Sequence, residues 1–198
     1  MNGKTANRIV GLAFMALATA HTWATADEPT AATATQDAPG IVERTALARV
    51  DFLVGDWAGE GWAITRSGER TRFWVEEAFH YRGDKDLMDM QGIFGDILSD
   101  GSRTLSLEYN LGILYFDRES ARYMMWHYSS SGEVFTVAMN VEHATREMHY
   151  IKEYSGGRIG KFHLVVGADG VWTSRFDVLQ ADGSWRQVME FRMERVDR

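Results

Sequence analysis

The sequence predicts an all-β protein of about ten antiparallel strands, run up and down and closed into a barrel, with a short helix in front. Three observations carry this. From Trp57 onward, apolar and polar residues alternate with the period of a strand. Turn residues interrupt that alternation at short, regular spacing, with Asp-Gly at 169–170 and again at 182–183. No helix-period segment lies between them. A meander of this kind must hide its edge strands, and closure hides them most completely. A twisted sandwich is the alternative. Sequential hairpins without a long crossover favour the barrel.

The chain has 198 residues, enough for one domain, and 45% hydrophobic residues can build a real core. It contains no cysteine, which excludes disulfides, zinc–thiolate sites, iron–sulfur clusters and cysteine nucleophiles. The formal charge of −7, without a Lys/Arg cluster, argues against nucleic acid as a partner.

The start of the chain reads as an export signal. Lys4 and Arg8 precede an apolar run over 9–20, and Ala18-Thr19-Ala20 and Ala24-Thr25-Ala26 are both small-x-small cleavage sites. The run is too short to span a bilayer. Residues 1–26 are therefore expected to be a signal peptide, which leaves no membrane span and a periplasmic or secreted location. Residues 27–43 hold both prolines and no periodicity, and read as a flexible leader. The barrel domain is expected over 44–198. Val42, Leu47, Val50 and Leu53 are roughly helix-spaced and predict one or two turns docked on it.

Strands are then expected at 57–65, 71–81, 87–94, 104–109, 111–116, 122–128, 133–141, 146–154, 159–166, 171–179 and 185–196. Alternation assigns their faces. Phe73, Val75 and Phe79 point inward, with Met88, Met90 and Phe94 on the next strand. Phe135, Val137, Met139, Met148 and Tyr150 follow, and later Trp172, Phe176, Trp185, Met189, Phe191 and Met193. A barrel of ten strands leaves room for a small ligand. Polar residues on the inward faces are the better anchors: Glu77 between Val75 and Phe79, Ser174 between Trp172 and Phe176, Gln187 between Trp185 and Met189. The candidate pocket is thus Glu77, Phe79, Met90, Met139, Tyr150, Trp172, Ser174, Gln187 and Met189. A carboxylate at 77 must be paired, hydrogen-bonded or raised in pKa.

No catalytic constellation emerges. Glu76 and Glu77 point to opposite faces, and Ser129–Ser131 lie in a polar turn without a nucleophile-elbow context. His80, His149 and His163 fall on outward faces, and His127 could face either way, so no metal cage is expected.

Gly55-Asp56-Trp57, opening a meander after a short helical approach, resembles the Gly-x-Trp start of lipocalin-like, or calycin, barrels. With Leu111–Asp117 and Tyr128–Gly132, the stretch Phe52–Gly61 is similar to a family of uncharacterised exported bacterial domains of unknown function. The likeness covers about 45–197. It implies a barrel closed at one end by Gly55 and Trp57, with a late arginine, Arg192 or Arg195, over the Trp57 ring. A more distant similarity is to nitrobindin, which binds haem through a late histidine. The closing stretch 185–193 has none, so haem is disfavoured and no cofactor is expected. The expected function is binding of a small apolar or amphipathic ligand in the lumen. The alternatives are a filled structural or envelope-interaction barrel and a haem barrel.

Overall fold

The computed structural model describes residues 40–104, 108–154 and 156–197. The expected signal peptide and all but the end of the expected leader lie outside them. The helix α1 spans Ile41–Ala48, beginning inside the stretch expected to be leader, and a single 3-10 turn follows at Asp51–Leu53. Ten strands come next: β1 Gly55–Ile64, β2 Arg70–Arg82, β3 Leu87–Ile97, β4 Glu108–Asp117 and β5 Arg122–Ser129. The second half is β6 Val134–Glu142, β7 Glu147–Tyr154, β8 Arg158–Val166, β9 Trp172–Leu179 and β10 Trp185–Val196.

Each strand pairs antiparallel with the next, and β1 pairs with β10, so the sheet is a closed barrel. Both Asp-Gly turns form hairpins. Gly170 and Gly183 take up φ of 80° and 83°, the left-handed conformation that three-residue hairpin loops require at that position. Three differences from the sequence reading concern strands. Residues 105–107 of the strand expected at 104–109 lie outside the described residues. Its end belongs to β4, which runs unbroken through Asn110 into the strand expected at 111–116, because Asn110 carries no turn signal and continues the inward alternation to Gly112, Leu114 and Phe116. β3 also runs on to Ile97. Ten strands result.

The third difference is a bulge in β10. Gln187 pairs with Asp177 and Met189 with Phe176, so Val188 is an extra residue on that strand. A bulge of one residue reverses the facing of everything before it. Trp185 and Gln187, expected inward from strict alternation with Met189, therefore lie on the outer face. There the Lys161 ammonium sits 4.9 Å from the Trp185 ring centre, and Gln187 donates to Glu190 at 2.7 Å.

One end of the barrel is sealed. Leu47, Val50 and Leu53 are buried beneath it with Trp57, Met88 and Leu114. At the end of α1 the Ala46 and Leu47 carbonyls accept the Arg49 and Val50 N–H groups in a tightened last turn, and the barrel adds a second donor to each. Tyr123 Oη donates to Ala46 O at 2.7 Å, and Tyr81 Oη to Leu47 O at 3.0 Å. Trp57 Nε1 donates to Leu53 O at 2.8 Å. The Arg195 guanidinium lies 4.4 Å from the Trp57 ring centre and donates to Val54 O, and to Phe52 O at 3.0 Å. Gly55 makes room for it: a Cβ there would stand 2.7 Å from Arg195 Nη1, and its φ of 132° also favours glycine. Arg192, the other arginine expected over Trp57, is exposed on the outer face, because it is an odd number of residues from Arg195 along a regular strand.

Gly59 serves the seam between the first and last strands. A Cβ on it would fall 1.8 Å from Arg192 O, so only glycine allows β1 to approach β10 this closely. Among the described residues no helix is long and apolar enough to cross a membrane. Arg195→Ala strands two carbonyls and uncovers Trp57, and is expected to cost about 1–3 kcal/mol in urea unfolding. An unchanged midpoint would show that the arginine does not hold the sealed end.

Candidate lumenal binding site

The register places one set of side chains on the inside of the barrel. Across β2, β3, β4 and β5 the neighbours Phe79–Met90–Gly112–His127 and Glu77–Gly92–Asn110–Ser129 form successive rows. Across β7, β8 and β9 the row Tyr150–Phe162–Phe176 faces them. Phe73, Phe94 and Phe191 meet at 6.0–6.3 Å between ring centres and close the β1–β3 side of the end away from α1. The β4–β8 side of that end stays open, and a cavity of about 440 Å³ runs in from it toward Leu53 and Trp172.

Of the nine residues picked from the sequence, seven line this cavity: Glu77, Phe79, Met90, Met139, Tyr150, Trp172 and Met189. Two do not. Ser174 faces inward but is fully buried, and it accepts the Trp172 indole N–H at 2.7 Å. Gln187 is outside the barrel for the reason given by the bulge.

Glu77 dominates the chemistry of the interior. It is 9% exposed, and no hydrogen bond or ion pair joins it to any described residue. Burial alone raises its carboxyl from 4.5 to about 8, so at neutral pH it carries its proton. Its neighbour across the β2–β3 ladder is Gly92. A Cβ on that glycine would stand 3.6 Å from Glu77 Oε1 and 3.3 Å from the Phe94 ring, so the carboxyl lies over Gly92 with that ring beside it.

A polar mouth surrounds the opening, contributed by Asn110, Ser129, Ser131, Glu133, Tyr154 and Arg158. Lys152, on the inward face of β7, bonds Glu133 at 2.6 Å and lies 3.6 Å and 4.0 Å from the ring centres of Phe135 and Tyr154. His127 lines the cavity with its ring stacked on Phe135 at 4.7 Å. Its Nδ1 is buried without a partner among the described residues, and burial lowers its pKa first of all, opposed by Glu133 and aided by Lys152.

The sequence leaves His127 open because both faces of 123–129 carry aromatic and methionine residues, so alternation does not choose. The register does: His127 shares a face with Tyr123 and Met125, while Trp126 is outside. The other histidines whose facing follows from the pattern lie outside. His163 meets Glu147, His149 is beside it, and His80 faces Asp56 at 3.8 Å. Among the described residues no three potential ligands come together to hold a metal ion.

The stability of the fold is tied to Glu77. Its folded pKa is raised, so between 4.5 and about 8 the folded chain keeps a proton that the unfolded chain releases. The contribution is complete below the lower value and is lost as pH rises through the upper one, by at most about 5 kcal/mol. Glu77→Gln is expected to unfold at higher urea than the wild type near pH 9, the gap closing toward pH 5. A gap independent of pH would contradict the protonated carboxyl.

No family model matches the sequence, and no curated protein matches it. Solved structures do share its fold. Rv2717c from M. tuberculosis superimposes with a TM-score of 0.53 at 13% identity, over 81% of this chain and 99% of that one. The S-type phycobiliprotein lyase CPES from Guillardia theta gives a TM-score of 0.51 at 8% identity, over 80% and 95% of the two chains. At such identities the likeness is one of fold: a lipocalin-like barrel.

Proposed function

We propose that this protein is exported and binds a small apolar or amphipathic molecule inside its barrel. The observation that carries the reading is the lumen itself: about 440 Å³, sealed at one end, apolar along its walls and polar at its mouth. Pockets that take small molecules have this make-up, with a few polar groups set in an apolar lining. The methionines at 90, 125, 139, 148 and 189 add a wall that can adapt to its guest. The lyase with the same fold is a likeness in kind, since its name ties it to phycobiliproteins. Export rests on the basic start, the apolar run and the two cleavage sites of residues 1–26.

A structural barrel with a packed interior has no use for such a cavity. One observation does favour an interaction role beside binding. Ile93, Tyr109, Leu111, Ile113 and Trp126 are exposed on the outer face of β3–β5, side by side in the register. The haem reading requires an iron ligand on a late histidine. β10 has none, His163 is turned outward onto Glu147, and His143 lies on the Arg49 carbonyl at 3.3 Å. These residues do not reproduce the site that the nitrobindin resemblance implies, and no haem chemistry is derived from them.

Two measurements test the proposal. The neutral probe N-phenyl-naphthylamine is expected to brighten on entering the lumen, and Met90→Trp, which fills the wall, to weaken it at least about tenfold with the fold retained. Equal binding by both proteins would place the probe elsewhere. Expressed with its own leader in a Gram-negative host, the protein is expected outside the cytoplasm with His21 or Asp27 at its N-terminus. An intact Met1 in the cytoplasm would contradict export.

A further inference from the structure

We propose that the lumenal ligand is an amphiphile bearing a protonated amine, and that Glu77 is its counter-ion. The inference rests on the binding role above and names the class of molecule.

A buried carboxyl normally has a donor within reach, since an apolar setting penalises it heavily when it is ionised and alone. Glu77 has none among the described residues, although several other inward polar groups are paired. Trp172 has Ser174, Tyr81 has Leu47 O and Asp51, and Lys152 has Glu133. The His127 Nδ1 is the other buried lumenal atom without a partner among the described residues. Gly92 itself adds no side chain over the Glu77 carboxyl, which lines the cavity beside the Phe94 ring. What is missing is one hydrogen-bond donor carrying a positive charge.

An ammonium group supplies it. The charge-assisted bond it makes with a carboxylate is about twice as strong as a neutral one, and the aromatic walls add to it. Phe79, Phe94, Trp172 and Tyr150 line the same cavity, and a cation over a ring face is drawn to the negative charge of the π-system. The mouth shows the same chemistry within the protein: Lys152 rests over Phe135 and Tyr154 with Glu133 as its carboxylate. The chain's formal charge of −7 draws cations in preference to anions.

The reaction is an exchange of one proton for one cation. Below about 8 the free carboxyl is protonated, so binding an alkylammonium expels that proton to solvent. The titratable and charged groups that share the lumen with Glu77 are Tyr150, Tyr154 and His127, with Glu133, Lys152 and Arg158 at the mouth. Arg195 lies on the Trp57 ring at the sealed end. Tyr150 and Tyr154 stay neutral, their pKa values raised by burial, and burial holds His127 toward its neutral form. Glu77 is therefore the group that titrates on binding.

The test compares decylamine, decanol and decanoate by calorimetry, with displacement of N-phenyl-naphthylamine, on the wild type and Glu77→Gln. Decylamine is expected to bind at least about tenfold more tightly than decanol near pH 7.5, and Glu77→Gln to reduce that preference to about twofold or less. From pH 6 to 8 the wild-type affinity for decylamine should rise toward tenfold per pH unit and then level off. Calorimetry in buffers of differing ionisation enthalpy should show close to one proton released near pH 6. That last measurement needs no variant. Decanol or decanoate binding as well as decylamine, or no proton release, would overturn the amine assignment while leaving a ligand-binding lumen. Failure of all three and of the probe to bind would overturn the binding role itself.

Discussion

The contact between Arg195 and Trp57 holds the two ends of the domain together. Arg195 is on the last strand and Trp57 on the first, paired in the β1–β10 ladder. The guanidinium covers the ring and reaches back to the carbonyls of Phe52 and Val54, fixing the chain just before it enters the barrel. The ring in turn meets Trp172 at 5.1 Å and donates to Leu53 O. One arginine thereby joins closure of the sheet to docking of the helix. Because that end is filled, the cavity opens at the other, where the polar groups lie. The close approach at Gly59 belongs to the same seam.

The interior follows from this asymmetry. Side chains near the plug are large and apolar, and the mouth carries polar groups, with Lys152 and Glu133 paired there. Glu77 lies between these zones without a partner among the described residues. Its protonated state at neutral pH is the least costly arrangement open to a carboxyl in such a place. That arrangement weakens the fold at alkaline pH, so the residue is a burden on stability in the empty barrel. A counter-charge brought by a ligand would remove the burden.

Much of this can be read in the chain, and the failures have identifiable causes. Period-two alternation and Asp-Gly turns give strands, hairpins and most inward residues, because the two faces of a barrel strand meet different surroundings. The resemblance of Gly55-Asp56-Trp57 to the lipocalin-like entry implies the sealed end, and the contacts of Trp57 with Arg195 and Leu53 O agree with it. Alternation fails at Trp185 and Gln187 because one extra residue, Val188, inverts the phase, and a bulge without glycine or proline leaves no local mark. It is silent at His127 because β5 carries large side chains on both faces. Arg192 is excluded by parity rather than by chemistry. The isolation of Glu77 cannot be read at all, as it depends on what the other strands fail to present to it.

Direct titration of that carboxyl is the most incisive measurement on the empty barrel. With glutamate labelled at its side-chain carbonyl carbon, the NMR resonance absent from Glu77→Gln identifies residue 77. Its midpoint is expected near 8, with the carboxyl protonated at neutral pH. A midpoint near the ordinary 4.5 would mean that water or a protein donor already satisfies Glu77, and would contradict the lone lumenal carboxyl on which the binding proposal depends.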